Sequence, residues 1–313
     1  MSGHVLGRTL ARLALLALLV GAGDRFFAWG FARVLARSQF RFSLLQRGGQ
    51  AARVIVLGDS RAVNGFYAPE LARLLDAPVL NLGYNGMSTR IGEAVLRDYL
   101  ARNAPPRLLV LEITNVNEED YALADLRSYW NGCPELGRLA AGVFPVQHAA
   151  TRLSHLYSLN GEMPLRALYY LRRSDQDWVN RYRIEPGLIA ATRAAPGFSL
   201  TAREENLAAL GRTVRLARSA GIDVRLVATP YLPDYFVRIT NWTTWIACIH
   251  RAAGGGERIW DYTGADDNPD HFADRVHLND LGAPAFAARL VRDGFFGGVS
   301  AAGPAEETVA AAR

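Results

Sequence analysis

Residues 54–61 read VIVLGDSR, an apolar run that ends in glycine, aspartate and serine. A short, continuous apolar run bounded by glycine is typical of a buried strand in a parallel sheet. Open α/β sheets place their chemistry at the carboxyl ends of such strands, which is where Ser60 falls. Serine and aspartate are also common helix N-caps. The stretch therefore predicts a buried strand that ends in either a nucleophile or a helix cap.

Other strand-like runs alternate with helical patterns on both sides of a long central segment. These runs cover residues 78–83, 107–113, 223–230 and 258–262. Such alternation predicts a doubly wound α/β domain with a parallel sheet. Residues 118–200 are rich in aromatic side chains and have no strand pattern, so we expect a helical insertion over the carboxyl edge of the sheet. Its aromatic side chains form either a small core or a sugar-binding surface.

Residues 1–32 contain an apolar segment that predicts a transmembrane anchor or a signal peptide. The run over 13–23 is short for a membrane, but a helix over 10–31 would span a hydrocarbon core of roughly 30 Å. Because apolar character resumes after Asp24 and Arg25, which we expect to pair or to lie near an interface, we favour an uncleaved anchor. Both interpretations export the rest of the chain.

Composition divides the remaining chain into three parts. We expect a connector over residues 33–52, an α/β domain over residues 53–296 that includes the insertion, and a disordered tail over residues 297–313.

The charged residues and the cysteines exclude several functions. The net charge of the 313-residue chain is +5, and all 35 basic residues are arginine. A Schiff-base lysine and a P-loop lysine are therefore excluded. The positive charge suits an anionic glycan or lipid, whereas no run of like charges and no recognition motif indicates nucleic acid. Cys133 and Cys248 are either one disulfide or two buried thiols, and we expect no cofactor.

Residues 274–277 read DRVH and follow a polar loop. Attack by a serine hydroxyl needs a base and a group that orients the base. An aspartate three residues before a histidine can accept the imidazole N–H and fix its tautomer, so Asp274 and His277 are candidates. Other acidic and histidine side chains nearby match the ligand spacing of neither an EF-hand nor a His-Glu-x-x-His site, and a solvated loop is favoured over a metal site. They are Asp261, Asp266, Asp267, Asp270 and His271.

Four motifs in this order resemble those of the SGNH (GDSL-type) hydrolase superfamily over residues 53–295, outside the insertion. They are GDS at 58–60, NLGYNG at 81–86, ITN at 113–115 and DRVH at 274–277. The resemblance implies a flavodoxin-like three-layer α/β/α fold with Ser60 as nucleophile, His277 as base and Asp274 as its partner.

The resemblance also implies an oxyanion hole. Its donors would be the Ser60 N–H, the glycine after the second strand and the asparagine after the third. Gly86 fits that glycine best, with Gly83 next, and Asn115 fits the asparagine better than Asn117.

Two positions depart from the family pattern. Arg61 replaces a leucine, which is typical of membrane-anchored branches that modify cell-surface polymers. The third motif reads ITNV where Gly-x-Asn-Asp is usual.

The resemblance implies an exported serine esterase or O-acyltransferase that acts on acyl esters, with acetyl expected, of a cell-surface glycan or wall polymer. The domain would lie on the periplasmic side of a bacterial inner membrane and work with an integral-membrane O-acyltransferase. One alternative is a catalytically inactive SGNH-like subunit that binds polymer or serves as a scaffold for a membrane acylation complex. Another is a lipase or thioesterase that cleaves long acyl esters.

Overall fold

A computed structural model describes residues 3–299, which are built around a parallel sheet. The strands are β1 (Val54–Leu57), β2 (Val79–Asn81), β3 (Leu108–Glu112), β4 (Asp223–Ala228) and β5 (Ile259–Asp261). They lie in the order β2-β1-β3-β4-β5, and every neighbouring pair is parallel. This is the flavodoxin-like order, in which the chain reverses direction across the sheet between β1 and β3. The predicted α/β class with a parallel sheet is confirmed.

Helices form most of the rest of the described chain. In chain order they are α1 (Gly3–Arg37), α2 (Arg41–Arg47), α3 (Ser60–Gly65), α4 (Ala68–Leu75), α5 (Thr89–Leu100), α6 (Tyr121–Asp125), α7 (Pro134–Val143), α8 (Pro145–Leu153), α9 (His155–Ser158), α10 (Met163–Tyr169), α11 (Pro186–Ala194), α12 (Glu204–Ser219), α13 (Pro233–Phe236), α14 (Trp242–Ala252) and α15 (Gly282–Arg292).

The two faces of the sheet are covered by different helices. Successive side chains of a strand point to opposite faces. Ile55 and Leu57 of β1 therefore pack in one buried cluster with residues of α5 and α12. Val54 and Val56 pack in a second cluster with residues of α4 and α15. Apolar side chains on both faces produce three α/β/α layers with the sheet buried between them.

The segment 118–200 is helical, with α6 to α11 and no strand of the sheet within it. Some of its aromatic side chains belong to the core and others lie at the surface. Tyr129 and Trp130 are buried in the core, whereas Tyr121, Tyr169 and Tyr182 are exposed.

The N-terminal helix is longer than the sequence pattern predicts. α1 has 35 residues rather than the stretch 10–31, and it is long and apolar enough to cross a membrane. Asp24 and Arg25 do not interrupt it, because the two side chains pair with each other. Ala28 and Leu35 near its C-terminal end are buried against the domain.

The segment 33–52, predicted as a connector, contributes to the core of the domain. Phe42 and Leu45 of α2 are completely buried in the same cluster as β1 and α5. The Arg41 guanidinium is also buried, where it pairs with Asp175 and donates to the Gly83 carbonyl at 2.5 Å. The domain therefore begins well before residue 53.

The ordered domain also extends past residue 296. Val299 is buried in the cluster that contains α15. The rest of the predicted tail, residues 300–313, lies outside the described residues. Cys133 and Cys248 are free thiols, so the disulfide alternative does not hold.

Candidate active site

Ser60, His277 and Asp274 form a continuous hydrogen-bonded chain at the carboxyl edge of the sheet. The Ser60 Oγ lies 2.7 Å from the His277 Nε2, and the His277 Nδ1 lies 2.7 Å from the Asp274 Oδ2. With its Nδ1–H donated to the carboxylate, the imidazole presents Nε2 as the acceptor for the serine hydroxyl proton. Residues 217 positions apart in the chain are thus brought into direct contact.

The serine is positioned by the tight junction between β1 and α3. Asp59 is the N-cap of α3, and its Oδ1 accepts the Arg61 N–H at 2.8 Å. Gly58 precedes it with φ +152°, and a Cβ there would lie 2.7 Å from the Glu112 Cβ and 2.8 Å from the Ala62 Cβ. Only glycine allows this close approach of the strand end, the helix and β3. The helix-cap alternative for this stretch therefore applies to Asp59, and Ser60 is free to face His277.

The histidine is held by its own loop. Asp274 Oδ1 accepts the N–H groups of Val276 at 2.9 Å and His277 at 3.0 Å, while its other oxygen accepts the imidazole N–H. Burial acts to raise the pKa of Asp274, but the hydrogen bonds from the imidazole and the two backbone groups outweigh it and lower the pKa. Asp274 is therefore a carboxylate that orients the ring at neutral pH.

Of the two candidate glycines for an oxyanion hole, Gly86 has the freer N–H. The Gly83 N–H donates to the Asn81 Oδ1 at 2.9 Å, so it is already occupied. The Gly86 N–H has no protein acceptor among residues 3–299. Gly86 has φ +67°, a left-handed conformation that glycine adopts without strain.

Asn115 lies in a 3₁₀ turn (Ile113–Asn117) directly after β3 and is buried. Its Nδ2 donates to the Met87 carbonyl at 3.0 Å, and its Oδ1 accepts the Thr89 hydroxyl at 3.1 Å. The side chain therefore joins the end of β3 to the loop that carries Gly86. Among the described residues the structure shows no hydrogen bond from Asn115 or Gly86 to Ser60.

Arg61 is a central residue of this site. From the sequence it was recognised only as an arginine at a position where the SGNH pattern has leucine. Its buried guanidinium donates to the Thr229 carbonyl at 2.5 Å, the Val276 carbonyl at 3.3 Å and the Glu112 Oε1 at 3.4 Å. It also stacks on the Tyr231 ring, 3.5 Å from the centroid. Arg61 thus ties α3, which begins at Ser60, to the ends of β3 and β4 and to the loop that carries the histidine.

Two buried carboxyl groups lie beside this arginine. Glu112 is completely buried and accepts the Thr114 N–H and hydroxyl with its Oε2. Burial and the charge of Glu112 raise the pKa of Asp59, and the Arg61 side chain and N–H offset only part of that rise. The Asp59 carboxyl group therefore stays protonated and neutral at pH values well above the usual pKa of an aspartate.

We expect Asp59→Asn to stabilise the protein at pH 8 and to leave its stability at pH 4 nearly unchanged. The pKa of Asp59 is raised from 3.8 in the reference state to about 8, so the native protein loses stability as pH rises between these values. Asparagine resembles the protonated acid, caps α3 equally well and does not ionise. The gain at pH 8 should be at least about 1.4 kcal/mol, the equivalent of one pKa unit.

Urea unfolding at the two pH values measures this difference. Asp76→Asn is the control, because Asp76 is exposed and its left-handed backbone suits asparagine. Equal effects of both variants at pH 8 would contradict the raised pKa of Asp59.

The acidic loop near the histidine is engaged in protein contacts. Asp266 Oδ2 lies 2.8 Å from the His271 Nδ1, and Asp261 accepts the Trp242 indole N–H at 2.8 Å. Within the part of the chain that the structure describes, no three acidic, histidine or cysteine side chains are arranged to hold a metal ion.

A cavity of about 570 Å³ adjoins α3. It reaches α3 at Val63, one turn after Ser60, and its other walls come from residues 40–41, the loop at Asn85 and the helical insertion. Aromatic side chains supply much of its lining, namely Phe40, Tyr84, Tyr169, Tyr170 and Trp178. Its volume is in the range of small-ligand sites.

No protein-family model and no curated protein matches the sequence. Similar solved structures include a protein provisionally described as a platelet activating factor from Streptococcus pneumonia, with 12% identity, a TM-score of 0.38, and coverage of 88% of this chain and 98% of that one. They also include a protein provisionally described as an SGNH hydrolase from Slackia heliotrinireducens, with 14% identity, a TM-score of 0.35, and coverage of 79% of this chain and all of that one. Both likenesses are weak.

Proposed function

We propose that this chain is a serine esterase or O-acyltransferase of the SGNH type. The observation that carries the proposal is the hydrogen-bonded chain from the Ser60 Oγ through His277 to Asp274, with both heavy-atom distances at 2.7 Å. A nucleophile, a base and a group that orients the base are the parts that acyl transfer through serine requires.

In the first half of the reaction, the Ser60 Oγ attacks the carbonyl carbon of an acyl ester while the His277 Nε2 takes the hydroxyl proton. The tetrahedral oxyanion then collapses, the ester C–O bond breaks, and His277 gives its proton to the departing alcohol. The product is acyl-Ser60. The Gly86 N–H, the Ser60 N–H and the Asn115 amide are the proposed donors to the oxyanion.

In the second half, a hydroxyl attacks the acyl-Ser60 carbonyl, and His277 acts again as the base. Water as the attacking group gives a free carboxylic acid, whereas a sugar hydroxyl gives a new ester. In both cases the proton held by His277 returns to the Ser60 Oγ.

The proposed substrate is an acetylated cell-surface glycan or wall polymer. Tyr169 and Trp178 are partly exposed at the cavity beside α3, and aromatic faces of this kind pack well against sugar rings. With α1 as a single-pass anchor, the domain would lie on the periplasmic side of a bacterial inner membrane. An integral-membrane O-acyltransferase is the proposed partner that supplies the acyl group.

Covalent labelling of the full chain in detergent tests this proposal. We expect a fluorophosphonate to modify Ser60, with the modified peptide identified by mass spectrometry, and we expect turnover of p-nitrophenyl acetate. Ser60→Ala should lose both signals, whereas Ser219→Ala, at an exposed serine of α12, should keep them.

Two other outcomes would redirect the assignment. A parent protein that is neither labelled at Ser60 nor active would favour the non-catalytic, polymer-binding or scaffold alternative. Strong preference for long acyl esters over acetyl esters would favour a lipase or thioesterase.

A further inference from the structure

The apolar surface of α1 is longer than the hydrocarbon core of a bilayer is thick. Large apolar side chains are exposed along the helix from Val5 to Phe31. At 1.5 Å per residue this stretch is about 40 Å long, whereas the hydrocarbon core of a bilayer is roughly 30 Å. The lipid-facing part of α1 therefore extends toward the folded domain.

The domain already contacts α1 before that apolar surface ends. Asp24 accepts hydrogen bonds from the Ser154 hydroxyl at 2.6 Å and from the N–H groups of His155 and Leu156 at 2.9 and 3.0 Å. The Arg25 guanidinium donates to the Leu153 carbonyl at 3.4 Å. These bonds fix residues 152–156, here named the α8–α9 corner, beside the middle of α1.

Apolar side chains of α1 continue on the domain side of this contact. Phe26, Phe27 and Trp29 follow Asp24 in the helix, and each is more than half exposed, at 66%, 58% and 54%. The Arg33 guanidinium stacks 4.1 Å from the Trp29 ring centroid, a tryptophan–arginine pair that suits the headgroup level of a membrane. A bilayer that covers these side chains must also reach the α8–α9 corner.

The corner has the surface that such a position requires. Leu153 is 83% exposed and Val146 is 77% exposed. The two residues are seven positions apart on α8, so they lie on one face two turns apart. Arg152 is exposed next to Leu153 and can reach lipid phosphates while the leucine faces acyl chains.

We infer that the α8–α9 corner and the Val146–Leu153 face of α8 lie in the headgroup and upper acyl-chain region of the bilayer that α1 crosses. The occupant of this face is phospholipid, because the face is continuous with the lipid-facing surface of α1 through the Asp24 and Arg25 contacts. The inference depends on the anchor role of α1 in the proposed function and is independent of the chemistry at Ser60. The insertion would then have two roles: it lines the cavity beside α3, and it contacts the membrane surface.

Photo-crosslinking of the full chain in phosphatidylethanolamine and phosphatidylglycerol nanodiscs tests the inference. The lipids carry a diazirine on the upper acyl chain, and labelled peptides are mapped by mass spectrometry. We expect label on α1 and on the peptide that contains residues 146–156. In the double variant Val146→Glu and Leu153→Glu, the amount of label on that peptide should fall at least 5-fold, whereas the amount of label on α1 should stay the same.

Val237 provides a matched control. It is 72% exposed and follows α13, which packs against α11, whereas α1 packs against α2, α9 and α10. Its peptide should therefore carry no label, and Val237→Glu should change nothing. Label confined to α1 would overturn the inference and leave the anchor intact. If the purified protein lacks residues 1–23 because they are cleaved as a signal peptide, and if no peptide carries the lipid label, the anchor role of α1 would be overturned as well. Fluorophosphonate labelling of Ser60 in the same nanodiscs reports on the proposed chemistry separately.

Discussion

Replacing His277 with alanine should lower kcat for acetyl-ester hydrolysis by about 10⁶-fold, because the general base is lost. The His277 Nε2 is the acceptor 2.7 Å from the Ser60 Oγ. Without it the hydroxyl must lose its proton to water, and serine is a weak nucleophile at neutral pH. The residual rate would come from substrate binding and the oxyanion donors.

Asp274→Asn should have a smaller effect, about 10²- to 10⁴-fold in kcat. Asparagine can still accept the backbone N–H groups of Val276 and His277, so the loop is expected to keep its shape. The amide cannot stabilise the imidazolium that forms as the serine loses its proton. Because the Asp274 side chain is 40% exposed, water replaces part of that stabilisation.

The structure supplies a control within the same loop. His271 pairs with Asp266 at 2.8 Å, a similar histidine–aspartate contact to which no serine among residues 3–299 is hydrogen-bonded. His271→Ala should therefore leave kcat within about 2-fold of the parent, a change of less than about 0.5 kcal/mol in the activation free energy. Equal losses in His271→Ala and His277→Ala would show that the loop fails as a whole and would contradict the assigned base.

Arg61→Leu should reduce the free energy of unfolding by about 3–5 kcal/mol, the usual cost of removing one partner of a buried ion pair. Glu112 is 0% exposed and Arg61 is 5% exposed, so neither group can recover solvation from water. The variant leaves a buried carboxylate beside Asp59. It also removes the donors to the Thr229 and Val276 carbonyls.

Denaturant unfolding of three comparison variants separates the causes. Arg73→Leu breaks an exposed ion pair with Glu70 and should cost no more than about 1 kcal/mol. Adding Glu112→Gln to Arg61→Leu should recover part of the loss, because the uncompensated charge is gone. Arg61→Lys should recover little, since an ammonium group lacks the planar fork that reaches three acceptors at once.

The same contacts predict a catalytic consequence. Arg61 bonds the carbonyl of Val276, one residue before His277, so Arg61 is a positioning residue for the base. At temperatures where the variant is fully folded, Arg61→Leu should lower kcat and should change KM by a smaller factor. A folded Arg61→Leu variant with the parental kcat would contradict this role.

Much of the fold could be predicted from local sequence patterns. The run VIVL followed by GDS contains a buried strand, its end and the following serine within seven residues. Similar runs gave the other strands, and the alternation with helices required a parallel sheet. Asp274 and His277 were predictable because they lie three residues apart, close enough for one side chain to fold onto the other.

The parts that could not be predicted depend on residues far apart in the chain. Arg61 meets Glu112, Thr229 and Val276 only after β1, β3 and β4 align, so its sequence context gave no sign of its contacts. Asp24 was expected to pair with Arg25 or to lie near an interface, but nothing local indicated that it would also accept hydrogen bonds from the N–H groups of His155 and Leu156 in α9.

The buried α2 determines how far the proposed active site can travel. A flexible spacer would let a tethered domain search a volume whose radius grows as about 5–6 Å times the square root of its length in residues. Here α1 packs on the domain and α2 lies inside its core, so no such spacer separates the helix from the sheet. On a membrane, Ser60 would act at one fixed height, and a polymer chain would have to be brought to that height to react.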